Sequence, residues 1–256
     1  MITFSAIGRL GALGNQMFQY AALLGASAMT GLPYAFDPEA GDLSRGFLLT
    51  EAPRPSGEPR AIYREPGFPF HPGIFGIEDG TDLHGFFQSE RYFEQIASRV
   101  RHEFSFRPEW RRMAEELVGP YRGAGPLVAV GVRRGDYLRF PDLHPALPPD
   151  YTLRAMARFA RNGASNFLVF SDDVPWCREH LEGEGVAVME EADPFVHMAA
   201  ASRCDHFVIP NSTFAWWGAW LGENPAKAVV APRCWFGPGY AHLDTRDLLP
   251  DRWDAL

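Results

Sequence analysis

Two adjacent arginines, Arg133 and Arg134, directly follow the apolar run 127–132 and precede Gly135, Asp136 and Tyr137. A guanidinium is a planar, permanently charged fork that grips a diphosphate through paired N–H bonds. At the carboxyl end of a strand this pair could hold an anion; a structural Arg–Asp pair is the competing role. Ser171, Asp172 and Asp173 end a second apolar run, 167–170. Adjacent carboxylates there suit a ribose or metal contact, or an N-cap for a helix opening near Pro175. The metal role would call for Asp-x-Asp, which is absent. A third apolar run, 207–209, leads into Asn211, Ser212, Thr213 and Phe214. There two hydroxyls and the free N–H groups of a helix's first turn would suit a phosphate. Trp216, Trp217 and Trp220 follow on that helix, and such residues are more often core than ligand platform.

A glycine loop opens the chain, with Gly8, Gly11 and Gly14 followed by Asn15 and Gln16. Its Gly-x-x-Gly-x-x-Gly spacing is not the dinucleotide fingerprint Gly-x-Gly-x-x-Gly, and Asp37 is the sole candidate ribose clamp. A tight strand-to-helix turn is the alternative. Asn15 and Gln16 with Gln19 and Tyr20 add a polar stripe at helical spacing, which a mere turn would not need. His197, with Asp193 and Met198 close by, is a lone helical histidine, more often structural than catalytic. Phe68, Phe70, Phe75, Phe86 and Phe87 are mostly core, with room for a few to stack on a sugar.

These residues need elements to position them. Residues 2–7 read as a strand, 15–30 as a helix stopped by Gly31, 34–36 as a short strand and 83–87 as another. Helices follow up to Arg101 and over 109–118. Residues 38–80 are rich in Pro and Gly without periodicity and predict irregular ordered loops. The stretch 119–126 reads as a linker. Beyond it, strands at 127–132, 167–170, 186–189, 206–209 and 228–231 alternate with helices at about 150–162, 175–183, 194–204 and 213–222. That alternation predicts parallel βαβ units. The expected class is α/β: two Rossmann-like lobes facing a cleft. Residues 1–122 would form the N-terminal lobe and 123–256 the C-terminal lobe, with the C-terminal tail free to pack back on the first. Every loop with candidate chemistry follows a strand, where ligands of such sheets bind.

With 24 basic and 32 acidic residues the net charge is −8, which excludes a tracker of nucleic-acid backbones. Cys177, Cys204 and Cys234 lie far apart, as expected of reduced thiols in an intracellular protein. No signal-peptide pattern and no apolar run of membrane-spanning length appears. The Arg-Gly-Asp triplet at 134–136 therefore does not read as an integrin ligand.

Five segments, taken in order, resemble the bacterial α-1,2-fucosyltransferases of glycosyltransferase family 11: residues 11–21, 85–93, 133–137, 170–173 and 211–221. The match is weak over 38–80, where acceptor contacts would be expected. The resemblance implies a GT-B architecture and inverting transfer from GDP-L-fucose to a galactose-containing glycan. It implies neither cofactor nor metal, the GDP-sugar being a co-substrate. Arg133 would neutralise the β-phosphate of the departing GDP, with Arg134 beside it. Asn211, Ser212, Thr213, Phe214 and the helix mouth would hold the same diphosphate. Asp172 and Asp173 would contact the nucleoside, and Gly14 and Asn15 would lie near the reacting sugar. Asp136 is the candidate general base, with orientation of an arginine as its other role. A cytoplasmic enzyme is expected, with peripheral attachment to the inner membrane left open. Two positions depart from the family pattern: Gly131 stands where a histidine is usual, and His197 where an aspartate is usual. Guanine offers N–H donors that want a carboxylate, which Asp193, Glu190 or Glu191 would then supply. A rewired guanine pocket is the expectation, with another GDP-hexose, another base or a degenerate site as alternatives.

Overall fold

A computed structural model of the protein describes residues 1–123, 125–161, 166–190 and 192–256. The chain forms two compact units, Met1–Arg107 with Leu243–Pro250, and Pro108–His242 with Asp251–Leu256. The division precedes the expected 122/123 boundary because helix α4 (Pro108–Val118) packs within the second unit. There Trp110 stacks on Phe195 at 5.9 Å, and Arg203 bonds to Glu115. The expected linker 119–126 therefore lies inside the second unit, with its Ala124 outside the described residues. Among the described residues no helix is long and apolar enough to cross a membrane.

In the first unit, strands β1 (Ala61–Arg64) and β2 (Thr81–His84) pair in parallel. Single bridges Thr3–Asp82 and Ile2–Tyr34 extend this sheet. The expected strand 2–7 leaves the sheet early, and 34–36 contributes a single bridge. Asp82, 5% exposed, accepts hydrogen bonds from Thr3 Oγ1 (2.6 Å), Ser5 N (2.8 Å) and Ser5 Oγ (2.7 Å). Bonds to a carboxylate contribute about 1.5–3 kcal/mol each, more than the neutral ladder bonds they replace. The chain thus turns at Ser5 into the glycine loop and enters α1 (Leu13–Thr30), whose Met17, Phe18, Tyr20 and Leu24 are fully buried. Gly31, at φ +72°, closes that helix in the left-handed cap that favours glycine. Short helices α2 (Leu43–Gly46) and α3 (Ala97–Glu103) complete the unit. Within 38–80 the structure holds α2, β1 and a short 3₁₀ helix, Pro72–Gly76, where irregular loops were expected. β1 is mostly exposed and lacks the alternation that would announce a strand.

The second unit is a six-stranded parallel sheet in the order β5-β4-β3-β6-β7-β8. Its strands are β3 (Leu127–Val132), β4 (Asn166–Ser171), β5 (Val186–Val188), β6 (His206–Val208), β7 (Val229–Ala231) and β8 (Asp254–Ala255). Helices α5 (Pro149–Arg161), α6 (Val174–Leu181), α7 (Pro194–Ser202) and α8 (Thr213–Leu221) alternate with them. Val128, Val130 and Val132 point to one face of the sheet and pack with Tyr151, Met156 and Phe159 of α5 and Cys177 and Leu181 of α6. The tryptophans of α8 are core: Trp216 meets Trp217 at 5.0 Å and Trp253 at 5.2 Å, all three helix indoles being at most 1% exposed. From β3 the chain runs outward one way to β5, then crosses back to β6 and outward the other way. The order therefore reverses between β3 and β6, and ligands of open α/β sheets bind at such a switch point, beyond the strands' carboxyl ends.

Candidate functional site

Arg133 leaves the carboxyl end of β3 and residues 211–213 leave that of β6, so the two loops flank the switch point. Arg133 Nη2 donates to Asp136 Oδ1 at 2.6 Å, and Nη1 lies 3.0 Å from Asp172 Oδ2. Arg134 Nε donates to Asp173 Oδ2 at 3.0 Å, its guanidinium lying 4.0 Å over the Trp176 ring. The two differ in access, the Arg133 side chain being 38% exposed and that of Arg134 17%. Arg134 is thus a packed buttress and Arg133 the more open cation. Exposed ion pairs contribute about 0–1 kcal/mol, so the two carboxylates orient Arg133 more than they stabilise the fold.

Asp172 and Asp173 have structural work as well. Asp172 Oδ1 accepts from the Arg134 amide at 2.9 Å, and Asp173 Oδ1 caps α6 through Trp176 N at 3.2 Å. Gly135 is where Asp172 crosses the loop: a Cβ there would lie 2.6 Å from Asp172 Oδ2. Gly135→Ala is therefore expected to push Asp172 off Arg133 and to weaken binding of a diphosphate about tenfold. Calorimetry would measure it, and wild-type affinity would show that Asp172 does not hold the fork.

Past β6, Ser212 is the N-cap residue of α8, but its side chain makes no capping bond, so the first turn of that helix is not closed by its own cap. Thr213 and Phe214 are half-buried at the mouth. Asn211 faces inward, its Nδ2 donating to Pro145 O (3.1 Å) and Trp235 O (3.0 Å), so it shapes the turn. Tyr137 joins the two loops by donating its hydroxyl to Asn211 O at 2.7 Å. Burial pushes that phenol up to about 12, which keeps the donor protonated. His144 stacks behind it at 5.2 Å and is held toward its neutral form by burial. Sequence reasoning quoted Tyr137 within a motif but gave it no role, and missed Trp176 and His144; contacts between distant loops leave no periodic signal.

The two departures from the family pattern have structural counterparts. A Cβ at position 131 would lie 2.7 Å from Pro210 Cδ, so a histidine there would need Pro210 to move. His197 is 8% exposed, edge-on to Phe170, with Nε2 3.0 Å from the Glu190 carbonyl. Among the carboxylates considered for the base, Asp193 caps α7 through Phe195 N at 3.0 Å and Glu190 pairs with Arg178. Glu191 lies outside the described residues.

Asn15 and Gly14 lie in the first unit, at the start of α1. Asn15 Oδ1 accepts from Gln88 Nε2 at 2.8 Å. Gln16 is used internally, its Oε1 accepting from the Asp42 amide at 2.8 Å. Glu65, which sequence reasoning passed over, receives the amides of Phe86 and Phe87; burial raises its carboxyl to about 7 against the pull of those two bonds.

The family model of glycosyl transferase family 11 matches residues 76–236. An α-1,2-colitosyltransferase of Escherichia coli is 30% identical, over 69% of this chain and 63% of that protein. Galactoside α-(1,2)-fucosyltransferase 1 of Plecturocebus brunneus is 31% identical, over 82% of this chain and 63% of that protein. The chain thus spans 63% of the length of each of these relatives. The crystal structure of POFUT1 in complex with GDP superposes with a TM-score of 0.58 at 14% identity, over 90% of this chain and 97% of that one. That likeness shows the fold, which is GT-B-like α/β as expected. With its motifs, its parallel sheet and these similarities, the chain belongs to glycosyl transferase family 11.

Proposed function

We propose that this chain is an inverting glycosyltransferase that moves a 6-deoxyhexose, L-fucose first, from its GDP ester to a galactoside hydroxyl in α-1,2 linkage, as a step in bacterial glycan synthesis. The observation that carries this reading is the placement of Arg133 and the α8 mouth on either side of the switch point in one sheet. In the reaction, the bond between the anomeric carbon and the β-phosphate oxygen breaks, and its electron pair leaves with the diphosphate. The acceptor oxygen attacks the opposite face of an oxocarbenium-like centre and loses its proton to a base. Negative charge grows on the leaving diphosphate, where a fixed cation and aligned N–H groups stabilise it most. Arg133 supplies the charge, so turnover needs no divalent ion. Asp136, bonded to Arg133, orients that fork with no rearrangement; acting as base would require it to let go.

The relatives' names, an α-1,2-colitosyltransferase and a galactoside α-(1,2)-fucosyltransferase, support both the linkage and a deoxyhexose donor, and keep a second deoxyhexose beside fucose. The test is calorimetry with GDP, UDP and NADH, followed by turnover across several GDP- and dTDP-sugars. GDP binding with turnover of GDP-fucose, undiminished by EDTA, is the expected result. GDP binding without transfer or hydrolysis would favour a nucleotide-sugar binding protein, and NADH binding would point to an oxidoreductase.

A further inference from the structure

Glu65 directly follows β1, and residues 85–88 directly follow β2, so strand pairing brings them to the same edge. The Glu65 carboxylate accepts the Phe86 amide on Oε2 at 2.7 Å and the Phe87 amide on Oε1 at 3.0 Å. Gly85 makes the approach feasible, since a Cβ there would lie 2.5 Å from Glu65 Cβ and 2.7 Å from its Oε2. Phe87 is fully buried at φ +52°, a left-handed backbone that a bulky residue adopts only when its surroundings impose it. The next residue, Gln88, is 7% exposed and donates from Nε2 to Asn15 Oδ1. Gln19 Nε2 ties the same turn to the glycine loop, donating to Gly85 O (3.2 Å) and Leu10 O (2.9 Å). Among the described residues the arrangement also leaves Gln88 Oε1 and Gln19 Oε1 buried without a hydrogen-bond partner. Apolar packing would avoid that cost, so such groups in a folded chain ask for an explanation beyond stability.

We infer that Glu65 is a positioning residue for Asn15: its carboxylate, bonded to the Phe86 and Phe87 amides, holds Phe87 in its left-handed backbone, and that turn sets Gln88 against the Asn15 carbonyl. With Oδ1 engaged, Asn15 offers its amide N–H groups, and so recognises an oxygen acceptor such as a sugar hydroxyl or ring oxygen. Gly11, where a Cβ would lie 2.2 Å from Asn15 Nδ2, leaves room for that amide. The inference rests on the proposed transfer and on the reading, implied by the family resemblance, that Asn15 lies near the reacting sugar.

The test is a double-mutant cycle on the whole chain with Glu65→Gln, Gln88→Ala and both together, read by kcat and donor KM. Each single change is expected to lower kcat about tenfold, because misplaced contacts cost rate. Donor KM is expected to stay within about twofold, and the pair to lose no more than the worse single variant. Losses that multiply in the double variant would overturn the inference. Gly85→Ala, which displaces the same carboxylate from the other side, repeats the test should Glu65→Gln fail to fold. If the wild-type chain turns over no donor, the transferase reading fails, while the Asn15 side-chain amide resonance still decides the positioning role. Both Glu65→Gln and Gln88→Ala should shift that resonance, and an unmoved signal in Glu65→Gln would overturn the inference.

Discussion

Arg133→Lys is expected to slow donor turnover about a hundredfold, near 3 kcal/mol of transition-state stabilisation. Lysine keeps the positive charge, so the loss isolates geometry. In the wild type, Nη2 meets Asp136 and Nη1 meets Asp172, which fixes the plane of the fork at the switch point. A single ammonium on a flexible stem can neither hold both carboxylates in that plane nor present paired N–H bonds to a phosphate. Steady-state turnover of GDP-fucose, with folding checked by thermal melting, measures the effect. The loss should fall mainly on kcat, because in the proposed reaction the diphosphate carries more charge in the transition state than in the bound donor. Wild-type turnover in the lysine variant would remove the bidentate clamp from the mechanism.

Trp216→Ala should have the largest effect on stability. Its indole is fully buried and touches Trp217, Trp220 and Trp253. Deleting a buried tryptophan side chain typically costs about 3–5 kcal/mol, against a total stability of roughly 5–15 kcal/mol. For a chain of this size the melting temperature should fall on the order of 10 °C. Trp216→Phe, which leaves a smaller void, should fall less. In whatever fraction stays folded, donor KM should match the wild type, since the indole faces the core. A raised donor KM with an unchanged melting temperature would return Trp216 to the ligand.

The second unit was legible because its strands are apolar and separated by helices of regular length. All of β3 to β7 and α5 to α8 fall within a few residues of their expected positions. The first unit was less so. Residues 2–7 look like a strand by composition, yet the Asp82 carboxylate captures Ser5 and turns the chain. β1 carries no alternation because its side chains are largely exposed, so it hid among prolines and glycines. The compact units divide at 107/108, ahead of the expected 122/123, for a related reason: α4 has ordinary helical periodicity, and Trp110 against Phe195 and Glu115 against Arg203 tell which unit it joins.

The local order of residue types alone determined which loops end strands, that those loops carry arginines, carboxylates and a helix mouth, and to which family the motifs point. Such features are local, written in runs of about ten residues. Tertiary structure decided which arginine is open and which is packed on Trp176, that the tryptophans of α8 are core, that Pro210 fills the space beside Gly131, and that Glu65 reaches the turn before Gln88. Each of these depends on the approach of segments far apart in the chain, through hydrogen bonds and packing that any single stretch of sequence leaves unspecified.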